Sequence, residues 1–405
     1  MRIGVFKGLC PSTNAVEKVA SLPYDVVTAE EAVTLTRDNP LSMLHVLRAE
    51  ADLPKGMDPY ADEVYSKALG NFQQLQRDGH LLRESKSCIY LYQQEMGGHH
   101  QRGIAALCHV DDYDRNIIKK HENTRPIKED DRTRLTHTLR ANPGPVFLTY
   151  RDSSDINKLT EEIISSPPLF DFKTDDNIRH TVWRINEYEA ICDAFKSVPN
   201  LYVADGHHRS ASATRVSKMQ RSANPNHQGD ENYNWFLCVI YPASHMNILP
   251  YNRVISDLNG LSSSLFLECI TAICPLTKNV DAVPTGPGNV CMYLNGMWYG
   301  LSLNRHPSDD PVDSLDVSIL QKSILEPLLG IDDPRTNPRI DFVGGIRGTA
   351  ELERRVNEGN ATVAFSLHPV TVTQLMAIAD KERLMPPKST WFEPKLRSGL
   401  FIHTF

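Results

Sequence analysis

Apolar and polar positions along the chain predict short strands interleaved with helices. Residues 201–204 form an apolar run with β-branched and aromatic members, the pattern of a buried strand. Gly206 breaks that run, and the helical spacing that follows, with Ala211, Val216 and Met219 among small residues, starts at His207. Tyr60, Val64, Ala68, Phe72 and Leu75 make one helical stripe over residues 59–79, closed by Gly79. After Pro23 sets an extended entry, Thr28 is placed to cap a helix over residues 29–37. Two hairpins are expected, residues 88–94 with 102–110 around Gly97-Gly98, and residues 290–303 around Asn295-Gly296.

The remaining pattern sets the architecture. A helix reaching to about Asn142, stopped by Pro143 and Pro145, leads to a strand at residues 146–150. A helix then precedes a strand at 181–185, and a helix capped by Asn186 runs to Val198. This succession, ending in the strand at 201–204, predicts a right-handed crossover onto a mostly parallel or mixed sheet. Further on come a buried strand at 235–241, a strand from Arg253, a helix over 262–273 and a single amphipathic helix over 313–330 with Leu315, Ile319, Leu320, Ile324 and Leu328 in register. Residues 340–348 make a strand and Gly-rich turn without full Gly-x-Gly-x-x-Gly spacing, so a packing turn is expected there. A strand at 361–370, a helix at 371–383 and a last short strand complete the chain. The expected fold class is α/β (α+β) with mixed sheets. Three regions are expected: residues 1–150, a core at 151–245, and residues 246–405 returning to the site through 384–399.

The chemistry concentrates where the central strand meets its helix, at Asp205-Gly206-His207-His208-Arg209. A strand, a Gly turn and a helix start gather backbone N–H groups and the positive end of the helix dipole, a geometry that binds phosphate. The two histidines and the planar fork of Arg209 add donors. Asp205 is unexpected in a pure anion trap; a carboxylate there holds a metal or takes a proton. A lone Asp or His in such a place reads as a cap or a satisfied polar group, but the five together favour a phosphate site.

A second polar cluster, His121-Glu122-x-Thr124, precedes a Pro-bounded helix that carries Asp131-Arg132. It is not a His-Glu-x-x-His zinc motif, because the second His is missing. Asp25 sits at an element junction, where turn chemistry explains it equally well. Lys388, Ser389, Thr390, Lys395 and Arg397 lie on a Pro-rich tail; they suit phosphate oxygens, or form a surface loop packed by Trp391 and Phe392.

The 405 residues carry a net charge of −7, which argues against general nucleic-acid or membrane-surface binding. No apolar run approaches the roughly 20 residues of a membrane span, and no signal-peptide pattern opens the chain. The eight cysteines form no Cys-x-x-Cys pair and read as buried free thiols of a reducing compartment, so a cytoplasmic protein is expected. No Gly-x-x-x-x-Gly-Lys loop, kinase loop set or Gly-x-Ser-x-Gly elbow is present.

The motif at residues 205–209 resembles the phosphate-binding motif of the ParB/sulfiredoxin superfamily, and within it that of free-serine kinases. Over nearly its whole length the chain is similar to a larger, long-unassigned family marked by Leu22-Pro-Tyr-Asp25, His121-Glu-x-Thr124 with Asp131-Arg132, the central motif, Ser314-Leu-Asp-Val-Ser-Ile-Leu320 and Met385-Pro-Pro-Lys-Ser-Thr390. Its members resemble pyrophosphate-dependent serine kinases that make O-phosphoserine for cysteine biosynthesis. The resemblance implies a ParB/sulfiredoxin-like core with α/β elaborations, L-serine and pyrophosphate as substrates, and Mg²⁺ on the donor. It implies Asp205 as base or metal ligand, with Glu122 the rival for either role. Gly206, His207, His208 and Arg209 would hold one phosphoryl group, Lys388, Ser389 and Thr390 the other, with His121, Thr124 and Arg132 as further substrate contacts. The rivals are an ATP- or ADP-dependent kinase on the same acceptor, a ParB-type nucleotide-binding regulator, and a phosphatase or inert phosphometabolite binder.

Overall fold

The computed structural model describes residues 1–303 and 310–405, and within them the chain is a mixed α/β protein of several sheets. It divides into two compact units, one of residues 1–246 with 394–405, the other of residues 247–393.

The first unit is built on a nine-stranded mixed sheet. Its strands run in the order Ile118–Lys119, Leu201–Asp205, Val146–Tyr150, Trp235–Pro242, His99–His109, Ile89–Met96, Arg179–Ile185 and Phe170–Lys173, with Ile3–Gly4 beside His99–His109. Most neighbours are antiparallel. Two pairs are parallel, and one of them matters for the site: Leu201–Asp205 lies beside Ile118–Lys119 with Tyr202 opposite Lys119. Both strands therefore end at the same edge, which brings the residues after Lys119 to the residues after Tyr202. The central strands are apolar on both faces (Leu148, Leu201, Val203 and Ile240 on one, Tyr90, Tyr92, Phe147 and Tyr241 on the other), and these side chains are buried, as expected where helices or loops cover both faces.

The expected helix caps and turns explain the local folding. Thr28 and Glu31 form a reciprocal capping box on Ala29–Arg37. Gly97 and Gly98 turn the first hairpin with φ of 57° and 85°, the left-handed pair such a two-residue loop requires. Helix Asp62–Arg77 buries Val64, Ala68, Phe72 and Leu75 against Leu135 and Leu139 of helix Pro126–Leu139. That second helix stops earlier than the proline signal suggests, because Arg140 takes a left-handed φ of 49° and the chain re-enters as a two-residue strand, Ala141–Asn142, beside His403–Thr404. Asn186 does not cap the next helix. The strand runs on to Ile185, the chain bends, and Glu189–Lys196 starts after Tyr188.

The second unit has a six-stranded antiparallel sheet in the order Leu276–Lys278, Met297–Ser302, Asn289–Leu294, Val363–Leu367, Tyr251–Ile255 and Ile340–Gly344. Asn295 and Gly296 make its hairpin turn, both with positive φ. The single helix expected over 313–330 is replaced by a short helix, Asp316–Leu320, running into a π-helical turn, Gln321–Leu325. Both carboxylate oxygens of Asp316 accept the Gly288 N–H at 2.9 and 3.0 Å, which ties the helix start to a loop. The wider turn shifts the register, so that Leu329 and Ile331 are buried along with Leu320 and Ile324.

All eight cysteines are free thiols, six of them buried. No helix among the described residues is long and apolar enough to cross a membrane.

Buried neutral histidines give the first unit an acid liability. His403 donates to the Asn232 carbonyl at 2.9 Å, and burial lowers its imidazole to about 4. An unfolded imidazole titrates near 6.5, so between these values the unfolded state binds more protons and stability falls as pH drops. From pH 7 to 4.5 this one group should remove about 2.5 kcal/mol. Urea titrations at both pH values should show the His403→Gln protein losing that much less than the parent; equal losses would contradict the assignment.

Candidate active site

The site is assembled at the shared edge of the two parallel strands. Asp205 is the last residue of Leu201–Asp205, and the register shifts between Val203 and Asp205, which lets the strand end turn. Gly206 follows with φ +94° and ψ 31° as the N-cap of helix His207–Ala223. A side chain at this position would be strained, and a Cβ would meet the Arg209 guanidinium at 2.9 Å. No side chain caps this helix, whose start follows directly on the Asp205 carboxylate.

Asp205 is flanked by two cations. The Lys395 amine lies 3.8 Å away and Arg209 donates to the carboxylate at 3.3 Å. Burial alone would raise the carboxyl group, but Lys395, then Arg209 and the Gly206 N–H, hold it well below the usual carboxylate range. Asp205 is thus a fixed anion, good at accepting a hydrogen bond and weak as a proton reservoir.

Lys395 is held by its backbone. Gln94 donates to the Lys395 carbonyl at 2.8 Å and Gln101 to the Pro394 carbonyl at 3.0 Å, while Gln101 also donates to Gln94 at 2.8 Å. All of these groups are buried and their N–H bonds tie the tail to the sheet, although the Gln101 Oε1 is left without a partner. Arg397, two residues on, is buried and pairs with Asp176, donating also to Thr174 at 3.1 Å and His180 at 3.3 Å. Sequence reasoning grouped both with tail donors and did not tie Lys395 to Asp205. The only signal was a lysine on a Pro-braced segment; its partner lies 190 residues earlier.

Arg209 is engaged within the site. Its guanidinium bridges the Pro145 carbonyl and Asp205, which leaves a buried Nε without a hydrogen-bond partner. It also borders a small cavity of about 30 Å³, lined among others by Tyr24, Arg132, Gly144, Ser212 and Ser398. Arg132 in that wall forms a two-armed pair with Asp131 at 2.7 and 2.9 Å and stacks 4.0 Å over the Tyr24 ring. Tyr65 donates to the other oxygen of Asp131 at 2.9 Å, so this pair is buried and satisfied.

The histidines divide. His208 accepts the Arg125 N–H at 3.0 Å, and burial lowers its imidazole. His121 and His207 are buried, with ring centroids 4.6 Å apart and the planes at 90°. Both nitrogens of His121 and Nε2 of His207 have no hydrogen-bond partner of good geometry. Burial lowers His121 to about 4, opposed by the Asp205 carboxylate and the Val203 backbone. Three orphaned buried nitrogens, at about 1–3 kcal/mol each, are costly unless the site serves a ligand. Thr124 donates to Glu129 at 2.5 Å and faces helix Pro126–Leu139.

Lys388, Ser389 and Thr390 belong to the second unit. Lys388 has a φ of +55° with its amine 5.4 Å from the Tyr251 ring, Ser389 is buried and donates to the Pro386 carbonyl at 2.6 Å, and Thr390 is half-buried. The buried Arg253 guanidinium donates to the Lys388 carbonyl at 3.1 Å.

A protein-family model described as "Protein of unknown function (DUF1015)" matches residues 3–318. No protein of curated function matches the chain by sequence. Among solved structures, the chain is similar to free serine kinase in complex with AMP, at 11% identity over 71% of this chain and 86% of that one, TM-score 0.36. It is also similar to SbnI with C-terminal truncation from Staphylococcus aureus, at 12% identity over 71% and 82%, TM-score 0.36. A conserved hypothetical protein from Pyrococcus furiosus gives 12% identity over 73% and 93%, TM-score 0.36. These likenesses are too distant to carry a function across.

Proposed function

We propose, from the premise that this chain belongs to the family described as "Protein of unknown function (DUF1015)", that it transfers a phosphoryl group from inorganic pyrophosphate to the hydroxyl of free L-serine. The observation that carries this reading is a carboxylate held ionised at the foot of an uncapped helix N-terminus, joined to it by Gly206 in a left-handed backbone. The N–H groups take the anionic phosphoryl group, and the carboxylate takes the acceptor hydroxyl.

In the step proposed, the serine oxygen attacks one phosphorus of pyrophosphate, the bridging P–O bond breaks and inorganic phosphate leaves. Asp205 accepts the hydrogen bond of the attacking hydroxyl and aims its oxygen. Because Lys395 and Arg209 keep Asp205 ionised, the proton passes to the departing phosphate rather than resting on the carboxylate. A loose phosphoryl transition state asks for little more than this, so catalysis is positioning and charge stabilisation. In this reading Lys395 and the first-turn N–H groups stabilise the negative charge that develops. Pyrophosphate offers no base or ribose to recognise, which fits a site of donors without a nucleotide loop.

Mg²⁺, which the resemblance implies, prefers oxygen ligands in octahedral geometry. The protein donors that gather here are two imidazoles and one carboxylate, and Asp205 already faces two cations. This set does not match Mg²⁺.

Phosphate release from pyrophosphate, followed with and without L-serine, tests the reading. Release that depends on L-serine is expected. Release at the same rate without any acceptor would instead make the protein a phosphatase.

A further inference from the structure

One group of three metal-ligating side chains comes together among the described residues: His121, Glu122 and His207. Their donor atoms all lie within 4.8 Å of one another. Around a cation with bonds of about 2.1 Å, ligand atoms stand roughly 3.4 to 4.2 Å apart, so modest side-chain rotations close the set. The two segments involved are brought together by the parallel pairing of Ile118–Lys119 with Leu201–Asp205. His121 and Glu122 follow one strand end, and His207 follows the other after the Gly206 turn.

The second, independent observation is the state of the imidazoles. His121 is 1% exposed and His207 6% exposed, and three of their four ring nitrogens have no hydrogen-bond partner. A buried histidine that serves packing satisfies at least one nitrogen, as His403 does with Asn232. His121 has no partner of good geometry at either nitrogen, the Val203 backbone acting on it only weakly. Both rings present bare donor atoms to one point, with Glu122 less buried at its open side.

We infer that His121, Glu122 and His207 bind a first-row divalent cation of the imidazole-preferring class, Zn²⁺ or its analogue Co²⁺, in preference to Mg²⁺. Imidazole donors suit Zn²⁺ and its neighbours, whereas Mg²⁺ takes oxygen. Three protein ligands leave a position open, the arrangement of catalytic rather than structural sites. That the open position faces a phosphate oxygen rests on the function proposed above; cation binding itself does not.

The test reads binding, not turnover. Metal-free full-length protein is titrated with Co²⁺, following visible absorption, and with Zn²⁺ by calorimetry. One cation per chain is expected, undisturbed by millimolar Mg²⁺. His121→Gln and His207→Gln should each weaken binding by at least about 100-fold, beyond the usual loss of an outer-shell partner. Should either variant fail to fold by circular dichroism, Glu122→Gln asks the same question at a less buried ligand. No bound Co²⁺, equal affinity in the parent and the folded variants, or displacement by Mg²⁺ at comparable concentration would each overturn the assignment. A protein that binds Co²⁺ as expected but transfers no phosphoryl group would leave the metal site standing and remove the proposed reaction.

Discussion

Asp205→Asn is expected to lower serine-dependent turnover by at least about 10³-fold while the protein stays folded, the scale of losing a group that acts on the attacking hydroxyl. The substitution keeps the side chain's size and removes the charge that faces Lys395 at 3.8 Å and Arg209 at 3.3 Å. Stability should therefore fall as well, by about 2 to 3 kcal/mol, since buried cations lose their counter-charge. The two effects can be separated. Adding Lys395→Met to Asp205→Asn removes the amine that the missing carboxylate had balanced, so most of the stability should return. Turnover should not return, because the anionic acceptor of the hydroxyl and the Lys395 amine are both missing. If the double variant regains both, Asp205 is a structural half of an ion pair and nothing more. Steady-state turnover and urea midpoints on these three proteins decide this.

Arg209→Lys is expected to lower kcat/KM for pyrophosphate by about 100-fold, the effect of displacing a reacting group by roughly an ångström. The charge is kept, so a purely electrostatic role predicts a small effect. The geometry predicts a large one. The guanidinium joins the Pro145 carbonyl to Asp205 and lies under Gly206, where a Cβ would touch it. An ammonium is a point donor and cannot span both partners. The Gly206 turn would lose its floor and Asp205 one of its two fixed neighbours. The loss should fall mainly on kcat, with pyrophosphate affinity changed less. A lysine variant within about threefold of the parent would mean that the charge, not the bridge, is what Arg209 contributes.

Local signals were legible where one short stretch decides the structure. Thr28 with Glu31, Gly97-Gly98 and Asn295-Gly296 each carry their own stereochemistry, and each took the expected form. The strand, Gly turn and helix at 201–223 were equally plain, because Gly206 is needed where φ is +94°. Signals failed where a neighbour overrides them. Asn186 is a good cap residue, but the strand holds its backbone through Ile185 and the helix starts later. The stripe over 313–330 has helical spacing, yet Asp316 is tied to Gly288 and a π turn absorbs the register. The candidate site shows the same division. Residues 205–209 were legible from their own spacing. The Lys395 contact, the amide clamp of Gln94 and Gln101, and the joining of His121 to His207 all depend on strands pairing across the sheet, which no local pattern encodes.

The most direct measurement is the formation of O-phospho-L-serine by the purified protein, detected by mass spectrometry, with L-serine as sole acceptor and either pyrophosphate or ATP as sole donor. Metal is supplied in parallel as Mg²⁺ and as Zn²⁺ or Mn²⁺. Product is expected with pyrophosphate, abolished by Asp205→Asn. Product with ATP alone would keep the acceptor and replace the donor, and no product with either donor under any metal would contradict the proposed reaction.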